Sequence, residues 1–369
     1  MAHKSMVGAK INLGSLFPAL SLNAELASMS VSTLRLDSRA VRSGDTFVAV
    51  PGSARDGRKF SSSALDNGAA LILEEARNDK FAVSQKSSVP VVEIPDLAQN
   101  LSLIAARFYG EPSRQMQLVG ITGTNGKTTC SVLLAQLNNR LQKKAAVIGT
   151  LGFGLVNELG GSSDLESTGL TTPDAIRTQE ILAELLEQGA ATVIMEVSSH
   201  SLDQARVAAV NFDVAIFTNL SHDHLDYHGT IEAYGRAKRR LFEMPDVHCS
   251  IINTDDAYGE SLASSLLASE MRVLRYSILS AGADIRVVNV KYSDRGISAE
   301  FMSPWGDGTL SSQLLGPYNL SNLLAVIAAA CEQGHSLKGV LAEVPNLLSV
   351  EGRMQNIDAS ADIQVVVDY

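Results

Sequence analysis

Hydrophobic positions in the first third of the chain follow two patterns. Short apolar runs bounded by turn residues are typical of β-strands, whereas apolar positions that recur every three or four residues are typical of helices. The first pattern predicts strands at DTFVAV, AALILEE and VPVVEI, and the second predicts a helix at LAQNLSLIAARFYG. Together they predict a small α/β domain over residues 1–112, which ends at the turn-rich joint GEPSR.

The central part of the chain repeats an order of strand, loop and helix. The strand QLVGIT is followed by a glycine-rich loop, a helix over residues 128–141 and the strand AAVIGT, which predicts a βαβ unit in a parallel sheet. The order continues with predicted helices at DAIRTQEILAELLEQG, IEAYGRAKRRLFE and NLSNLLAVIAAACEQG, strands at ATVIMEVS, FDVAIFTNL and CSIINT, and a β-rich stretch at 284–315. A last strand, VVVDY, stands at the chain end.

Composition narrows the class of protein. Hydrophobic residues make up 45% and charged residues 19% of the 369 positions, as in folded globular proteins. A net charge of -10 argues against a general binder of nucleic acid or anionic membranes, because such binders present a basic surface. Cys130, Cys249 and Cys331 lie too far apart to suggest a CxxC metal site or a disulfide framework. Without a signal-peptide pattern or a membrane-length apolar run, the sequence predicts a cytoplasmic protein.

The glycine-rich loop GTNGKTT has the residues of a phosphate-binding loop. Gly123 and Gly126 allow backbone amides to approach a ligand, Lys127 supplies positive charge, and Thr128 offers a hydroxyl to a metal ion. Ile121 occupies the position of the first glycine in the general G-x-x-x-x-G-K-[ST] pattern. We favour phosphate binding, and an ordinary turn between a strand and a helix is the alternative.

Polar residues follow two further strands. Glu196 ends ATVIME, and the segment HDHLDYH, residues 222–228, follows the strand VAIF. Because the carboxyl ends of parallel strands share one edge of a sheet, we expect these side chains to converge on the loop. An isolated Glu196 could equally be a capped strand end. A phosphate loop beside a carboxylate favours magnesium over zinc, although histidine is an unusual magnesium ligand.

Eight ordered motifs resemble the Mur ligase family. They are GTNGKTT, TTPDA, MEVSSHSLDQARV, TNLSHDHLDYHG, YGRAK, GPYNLSN, GRM and VVVDY, and the resemblance extends from Leu36 to Tyr369. It implies a small N-terminal α/β domain that binds a UDP substrate (1–112), a central P-loop domain with a mostly parallel sheet flanked by helices (113–349), and a hinge segment (350–369). Family members continue with a third, Rossmann-like domain that this sequence lacks, so we expect little turnover from these residues alone.

The resemblance also implies an activity. Family members form an amide bond with ATP and release ADP through an acyl phosphate. The motifs are most similar to those of members that add the third amino acid to UDP-N-acetylmuramoyl-L-Ala-D-Glu in peptidoglycan precursor synthesis. The resemblance favours meso-diaminopimelate as this amino acid, and lysine is the alternative. The implied partners are this UDP-muramoyl dipeptide, ATP and a diamino acid, with neither nucleic acid nor membrane. The implied cofactors are two Mg²⁺ ions.

Site residues are carried over by their positions in these motifs. The implied catalytic residues are Lys127, Glu196, His224 and Lys238, and the implied metal-binding residues are Thr128, Glu196, His224 and Lys238. The implied ATP-binding residues are Gly123, Thr124, Asn125, Gly126, Lys127, Thr128, Thr129, Asn319, Asn322, Arg353 and Asp368. The implied substrate-binding residues are Leu36, Ser38, Ser53, Ala54, Arg55, Thr171, Thr172, Ser198, Gln204 and Arg206.

Several of these residues have simpler alternatives. By resemblance, Lys238 is carbamylated and acts as a carboxylate toward the second Mg²⁺, whereas by itself it would be a solvated lysine beside Arg239 and Arg240. Asn319 could cap a helix, and the loop serines could be turn formers.

Two other functions remain alternatives. One is a folylpolyglutamate synthetase-like ligase, although that family lacks a first domain of the kind predicted at residues 1–112. The other is a nucleotide-binding regulatory protein without transfer chemistry, against which the complete set of implied catalytic residues argues. A generic P-loop motor or GTPase is disfavoured by the altered loop and by the lack of a guanine-specificity element.

Overall fold

The computed structural model describes residues 10–20, 22–52, 55–78, 80–157, 165–360 and 363–368. In this part of the chain, no helix combines the length and apolar character needed to cross a membrane.

The first part of the chain forms a small α/β unit. Its elements, in chain order, are β1 (Ile11–Asn12), α1 (Leu13–Leu16), α2 (Ala24–Ser28), β2 (Ser30–Val31), β3 (Leu34–Arg35), β4 (Thr46–Ala49), α3 (Ser61–Asp66), β5 (Leu71–Glu75), β6 (Ala82–Lys86), β7 (Val89–Ile94) and α4 (Leu97–Phe108). A sheet is formed in the order β3-β4-β5-β7-β6, in which only β6 is antiparallel to its neighbour among the described strands. The three predicted strands and the predicted helix of this region are confirmed.

The remaining elements extend the strand-helix alternation. In chain order they are β8 (Gln117–Thr122), α5 (Lys127–Arg140), β9 (Ala145–Gly149), β10 (Gly152–Leu155), α6 (Ala175–Glu187), β11 (Thr192–Glu196), α7 (Ser199–Asp203), β12 (Val214–Phe217), α8 (Leu225–His228), α9 (Ile231–Arg239), β13 (Cys249–Asn253), α10 (Ala257–Ala268), β14 (Val273–Ser277), β15 (Ile285–Ser293), β16 (Gly296–Met302), β17 (Gly308–Ser312), α11 (Gly316–Glu332), α12 (Leu337–Glu343), β18 (Gln355–Ser360) and β19 (Ile363–Val367).

The second sheet has ten strands among the described residues, in the order β10-β9-β11-β8-β12-β13-β14-β15-β16-β17. From β9 to β15 the neighbouring strands are parallel, and the antiparallel strands lie at the two ends of the sheet. The predicted α/β class with a mostly parallel sheet is therefore confirmed. This arrangement brings the carboxyl ends of β8, β9, β11 and β12 to one edge, where the polar residues of the site follow.

The helices that cover this sheet explain why its strands appear in the sequence as continuous apolar runs. Helix α5 buries most of its residues, and it packs against α11 and the central strands. Helix α11 contributes an apolar run from Leu323 to Ala330 in which every residue is fully buried. Parallel strands covered by such helices are apolar on both faces, so they lack the two-residue alternation of half-exposed strands.

The chain divides into two compact units. One consists of residues 1–115, 174–188 and 204–210, and the other of residues 116–173, 189–203 and 211–369. Helix α6 belongs to the first unit, where Ala175, Ile176 and Ala183 join the apolar core beneath α4. The predicted domain boundaries at 112 and 349 stay predictions.

Some elements were not predicted. Helix α10 and strand β14 lie between the predicted strand CSIINT and the predicted β-rich stretch. Helix α10 buries only every third or fourth residue, and Asp256 accepts a hydrogen bond from Gly259 N at 3.0 Å to cap it. The aspartate followed by this apolar spacing was the available signal.

Candidate active site

The glycine-rich loop joins β8 to α5 at the carboxyl edge of the parallel strands. Gly123 and Gly126 have φ values of 149° and 86°, in the left-handed region that favours glycine. Neither position has room for a side chain: a Cβ on Gly126 would lie 2.7 Å from Asn322 Oδ1, and one on Gly123 would overlap Thr218 Oγ1. Both glycines are therefore required by backbone conformation and by close packing.

The segment after β12 holds the loop in place. Asn219 accepts from Thr124 N through its backbone oxygen and from Asn125 N through its Oδ1, both at 2.9 Å. The hydroxyl of Thr218 donates to the backbone oxygen of Asn125 at 2.6 Å. These bonds fix the loop before any ligand binds, so ordering it costs little on binding.

Lys127 is directed back over the loop. Its Nζ donates to the backbone oxygens of Gly123 at 3.0 Å and Thr124 at 2.8 Å. Burial lowers the pKa of Lys127, and the negative charges of Glu196 and Asp223 oppose that shift. An anionic phosphate in the loop would supply the charge partner that this lysine needs.

Glu196 is a buried carboxylate at the end of β11, with 1% of its surface exposed. Its Oε1 accepts from Thr150 N at 3.0 Å, and its Oε2 accepts from the hydroxyls of Thr128 at 3.0 Å and Thr150 at 3.1 Å. Burial raises the pKa of Glu196, while Lys127 and these hydrogen bonds lower it. Glu196 is thus oriented by several donors toward the loop, and this arrangement exceeds what a simple capped strand end requires.

The oxygens of Thr128 and Glu196 fit a magnesium ion. Thr128 Oγ1 and Glu196 Oε2 lie 3.0 Å apart, and adjacent ligands of an octahedral Mg²⁺ at about 2.0–2.1 Å are separated by about 2.9 Å. Within the described residues, no group of three or more His, Cys, Asp or Glu side chains has the arrangement of a metal site. The remaining ligands of a cation here would be water and substrate oxygens, which magnesium accepts readily.

Lys238 points into the protein from α9 and is 1% exposed. Its Nζ donates to Gly123 O at 2.8 Å, the same backbone oxygen that accepts from Lys127. Burial and the charge of Lys127 lower the pKa of Lys238 well below its usual value. The alternative of a solvated lysine on a basic helix face is wrong, because this amine is buried while Arg239 and Arg240 remain accessible.

His224 lies in a cluster of imidazole and phenol rings. Its ring centroid is 4.9 Å from that of His200 and 6.0 Å from that of Tyr234, and its Nε2 is 3.5 Å from Asp223 Oδ2. No hydrogen bond or ring contact joins it to Glu196 or Lys238 within the described ranges. Its predicted participation in a shared cation site with them stays a prediction.

A cavity of about 950 Å³ opens in front of the loop. Its lining includes the predicted ATP-binding residues Thr124, Asn125, Gly126, Lys127, Thr128, Thr129, Asn319, Asn322, Arg353 and Asp368. The structure thus brings these residues of the chain together around one space. Their contacts with a nucleotide stay predictions.

The two predicted asparagines of α11 have different surroundings. Asn319 Nδ2 donates to Leu315 O at 2.9 Å within the first turn. Its alternative role as a helix cap is wrong, because α11 begins at Gly316 and Leu315 is the N-cap residue. Asn322 Oδ1 instead faces the phosphate loop and accepts from Cys130 Sγ at 3.4 Å.

The predicted substrate residues are distributed over both units. Leu36, Ser38, Arg55, Gln204 and Arg206 lie in the first unit, Thr171, Thr172 and Ser198 lie in the second, and Ser53 and Ala54 lie outside the described residues. The half-buried guanidinium of Arg206 donates to Gln204 Oε1 at 3.0 Å through Nε. Buried Ser38 accepts at its backbone oxygen from Asn67 Nδ2 at 2.9 Å.

Sequence reasoning missed several residues that shape the site. Gly149 and Thr150 contact the Glu196 carboxylate, while Thr218 and Asn219 form hydrogen bonds to the glycine-rich loop. Both pairs lie at the carboxyl end of a parallel strand. The expectation that such strand ends meet at one edge of the sheet, which identified Glu196, could therefore have identified them. Small uncharged residues gave no chemical reason to apply it.

A substitution at Gly149 tests directly whether its close packing against the Glu196 carboxylate matters for cation binding. A Cβ at this position would overlap Glu196 Oε1 and lie 2.6 Å from its Cδ. We expect Gly149→Ala to displace the carboxylate and to weaken Mg²⁺-dependent ADP binding by about tenfold or more in calorimetry. Gly282→Ala is the matched control, because its Cβ would meet only Ser280 Oγ at 3.6 Å. Unchanged Mg²⁺-dependent ADP binding by Gly149→Ala would show that this packing does not position the Glu196 carboxylate for the cation.

A strand, glycine-rich loop and helix, with a lysine, a threonine hydroxyl and a buried carboxylate around one cavity, define a nucleotide-binding fold of the P-loop class. Within this class, residues 121–330 match the sequence profile of the Mur ligase middle domain, and residues 30–109 match that of the Mur ligase family catalytic domain. The chain belongs to the Mur ligase family.

Named relatives and solved structures agree with this assignment. The chain is 46% identical to the UDP-N-acetylmuramoyl-L-alanyl-D-glutamate--2,6-diaminopimelate ligase of Ectopseudomonas mendocina (strain ymp), over 94% of this chain and 69% of the relative. A solved structure of a ligase with the same name matches with a TM-score of 0.83 at 31% identity, covering 98% of this chain and 71% of the other. The folylpolyglutamate synthase of Mycobacterium tuberculosis, solved with ADP, shares the fold at 17% identity, with a TM-score of 0.59 and coverage of 74% and 66%.

Proposed function

We propose that this chain carries the UDP-substrate and ATP sites of an ADP-forming ligase that adds meso-diaminopimelate to UDP-N-acetylmuramoyl-L-Ala-D-Glu. The observation that carries the proposal is the convergence of Lys127, Lys238 and Glu196 on one phosphate loop. It is supported by the named relative, which is a ligase of UDP-N-acetylmuramoyl-L-alanyl-D-glutamate and 2,6-diaminopimelate. The same family membership disfavours a regulatory protein without transfer chemistry.

The loop binds the triphosphate through charge and backbone amides. In the proposed complex, Lys127 turns from the loop oxygens toward the β- and γ-phosphates, and the N-terminus of α5 faces them with free N–H groups. Thr128 and Glu196 would hold Mg²⁺, which neutralises phosphate charge when bound. This neutralisation allows an anionic substrate carboxylate to approach the γ-phosphoryl group.

The proposed reaction has two steps. The carboxylate oxygen attacks the γ-phosphorus, the bond to the bridging β,γ oxygen breaks, and ADP leaves with an acyl phosphate on the substrate. The amine of the diamino acid then attacks the acyl carbon, inorganic phosphate leaves, and the amine loses a proton. The chain's contribution is to orient the two anions and to hold positive charge between them.

Lys238 is the proposed site of carbamylation. The neutral amine adds to CO₂ and loses a proton, which gives a carbamate anion with a terminal carboxylate group. Two charged ammonium groups on the single oxygen of Gly123 would repel, so one of them is favoured in its neutral form. The lowered pKa of Lys238 makes it the reactive amine. We propose that the carbamate and His224 serve a second Mg²⁺ together with Glu196.

We further propose the domain roles expected from the sequence. Residues 1–112 would receive the UDP moiety, residues 113–349 would bind ATP, and residues 350–369 would form a hinge segment.

Calorimetric titration separates the proposed ligase from its folate-dependent alternative. We expect UDP-N-acetylmuramoyl-L-Ala-D-Glu to bind this chain, and we expect folate to give no heat of binding under the same conditions. Folate binding without binding of the UDP-muramoyl dipeptide would overturn the proposal. A ligation assay with diaminopimelate and lysine in parallel, using a chain that contains these residues and any further domain, would test the choice of amino acid.

A further inference from the structure

Thr150 contacts both oxygens of the Glu196 carboxylate. It follows β9 at the carboxyl edge of the sheet, where its N–H donates to Oε1 at 3.0 Å and its hydroxyl donates to Oε2 at 3.1 Å. Thr128 provides the other hydroxyl contact, at 3.0 Å, but Thr128 is itself a proposed cation ligand. Thr150 therefore orients the carboxylate without being a proposed ligand of the cation.

Because the Glu196 carboxylate is buried, the hydrogen bonds that orient it also decide whether its charge is stabilised. Glu196 is 1% exposed, and a buried carboxylate is stable only when its oxygens accept hydrogen bonds. On the side of Gly149 the carboxylate packs directly against backbone, with no space for another side chain. Loss of the Thr150 hydroxyl would leave Oε2 with Thr128 as its one remaining donor among the described residues, while Oε1 would keep the Thr150 N–H, so the carboxylate would be held less firmly.

The Thr150 hydroxyl also lies 3.0 Å from the hydroxyl of Thr171. Because Thr150 donates its proton to Glu196, its oxygen is free to accept the proton of Thr171. The neighbouring Thr172 is bound to the same strand end, since its hydroxyl donates to Glu196 O at 2.9 Å and accepts from Ser198 N at 3.0 Å. The segment that presents Thr171 is thereby connected to the carboxylate through a directed chain of two hydroxyls.

We propose that Thr150 is a positioning residue that holds Glu196 for Mg²⁺ and couples it to Thr171. The inference rests on the proposed function, in which Glu196 binds the cation and Thr171 meets the muramoyl dipeptide. A substrate group that engages Thr171 would then act on the cation site through Thr150, without contacting Glu196 itself.

The test measures ADP binding by calorimetry with and without Mg²⁺. The readout is the ratio of the two Kd values, which isolates the contribution of the cation. Thr150→Val is expected to reduce this ratio by about tenfold or more, as is typical for residues that orient a metal ligand. Thr150→Ser keeps the hydroxyl and is expected to restore the ratio. Thr171→Val is expected to reduce it by about two- to tenfold, the effect of one hydrogen bond.

Thr309→Val, on the exposed face of β17, is the matched control. A wild-type ratio in Thr150→Val would overturn the positioning role, and a wild-type ratio in Thr171→Val would overturn the coupling. If Thr150→Val lost the same ADP affinity with and without Mg²⁺ and had a lower Tm, its role would be purely structural, and the positioning role would also be overturned. If the wild-type chain itself showed no Mg²⁺-dependent ADP binding, the proposed function would fail first, so the two failures are distinguishable.

Discussion

Lys127→Met is expected to reduce kcat/KM for ATP by about 10²–10³-fold, the effect of removing one preorganised group that stabilises transition-state charge. Lys127 lies at the start of α5 and is held over the loop by Gly123 O and Thr124 O. It would therefore need only a short movement to reach a phosphate. The measurement is the rate of ADP formation in the complete ligation mixture, together with calorimetric binding of ADP.

Lys291→Met is the control for this change, because Lys291 is exposed on β15 at a distance in sequence and in the sheet from the loop. It should behave as the wild type in both measurements. If Lys127→Met kept full ligation while its Tm was unchanged, the loop would not be acting as a phosphate site.

Lys238→Arg is expected to reduce ligation by about 10²–10³-fold although positive charge is retained. Arginine does not lose its proton in proteins, so it cannot form the carbamate. The measurement pairs the ligation rate with ¹³C NMR of protein equilibrated with ¹³CO₂, in which the wild type is expected to show a carbamate signal and Lys238→Arg is expected to lack it. A wild-type protein without that signal, or an active Lys238→Arg variant, would contradict carbamylation.

The pH dependence of this signal has a defined sign. Carbamylation requires the neutral amine, and burial holds the pKa of Lys238 well below its usual value. At a fixed concentration of dissolved CO₂, carbamate occupancy should be high above the lowered pKa and should fall as the pH decreases through it.

Local patterns were sufficient for the central elements of the fold. The run QLVGIT was predicted as a strand, and β8 has the same bounds, because a 6-residue run that stops at a glycine-rich loop has the length of a strand and is too short for a buried helix. The helix predicted at 128–141 begins one residue earlier, at Lys127. Helix α11 begins at Gly316, before its predicted start at residue 319, because Pro317 is tolerated in the first turn.

The same patterns could not assign α6 to its unit. Its periodicity predicted a helix, and α6 confirms it, but the sequence order suggested that it belongs with the central sheet. In the structure its apolar face joins the core beneath α4, in the first unit. An apolar face specifies that a helix must be covered, and it does not specify which surface covers it.

The sequence by itself determined the order of strands and helices, the glycine loop and the types of charged side chain that follow the strands, because periodicity and backbone chemistry are local properties. Tertiary structure decided that Lys127 and Lys238 share Gly123 O, that Gly149 leaves space for Glu196, and that Thr150 orients its carboxylate. Each of these contacts joins residues from different strands or helices. Only the register and packing of the sheet bring such atoms within hydrogen-bond distance, and burial then shifts their pKa values.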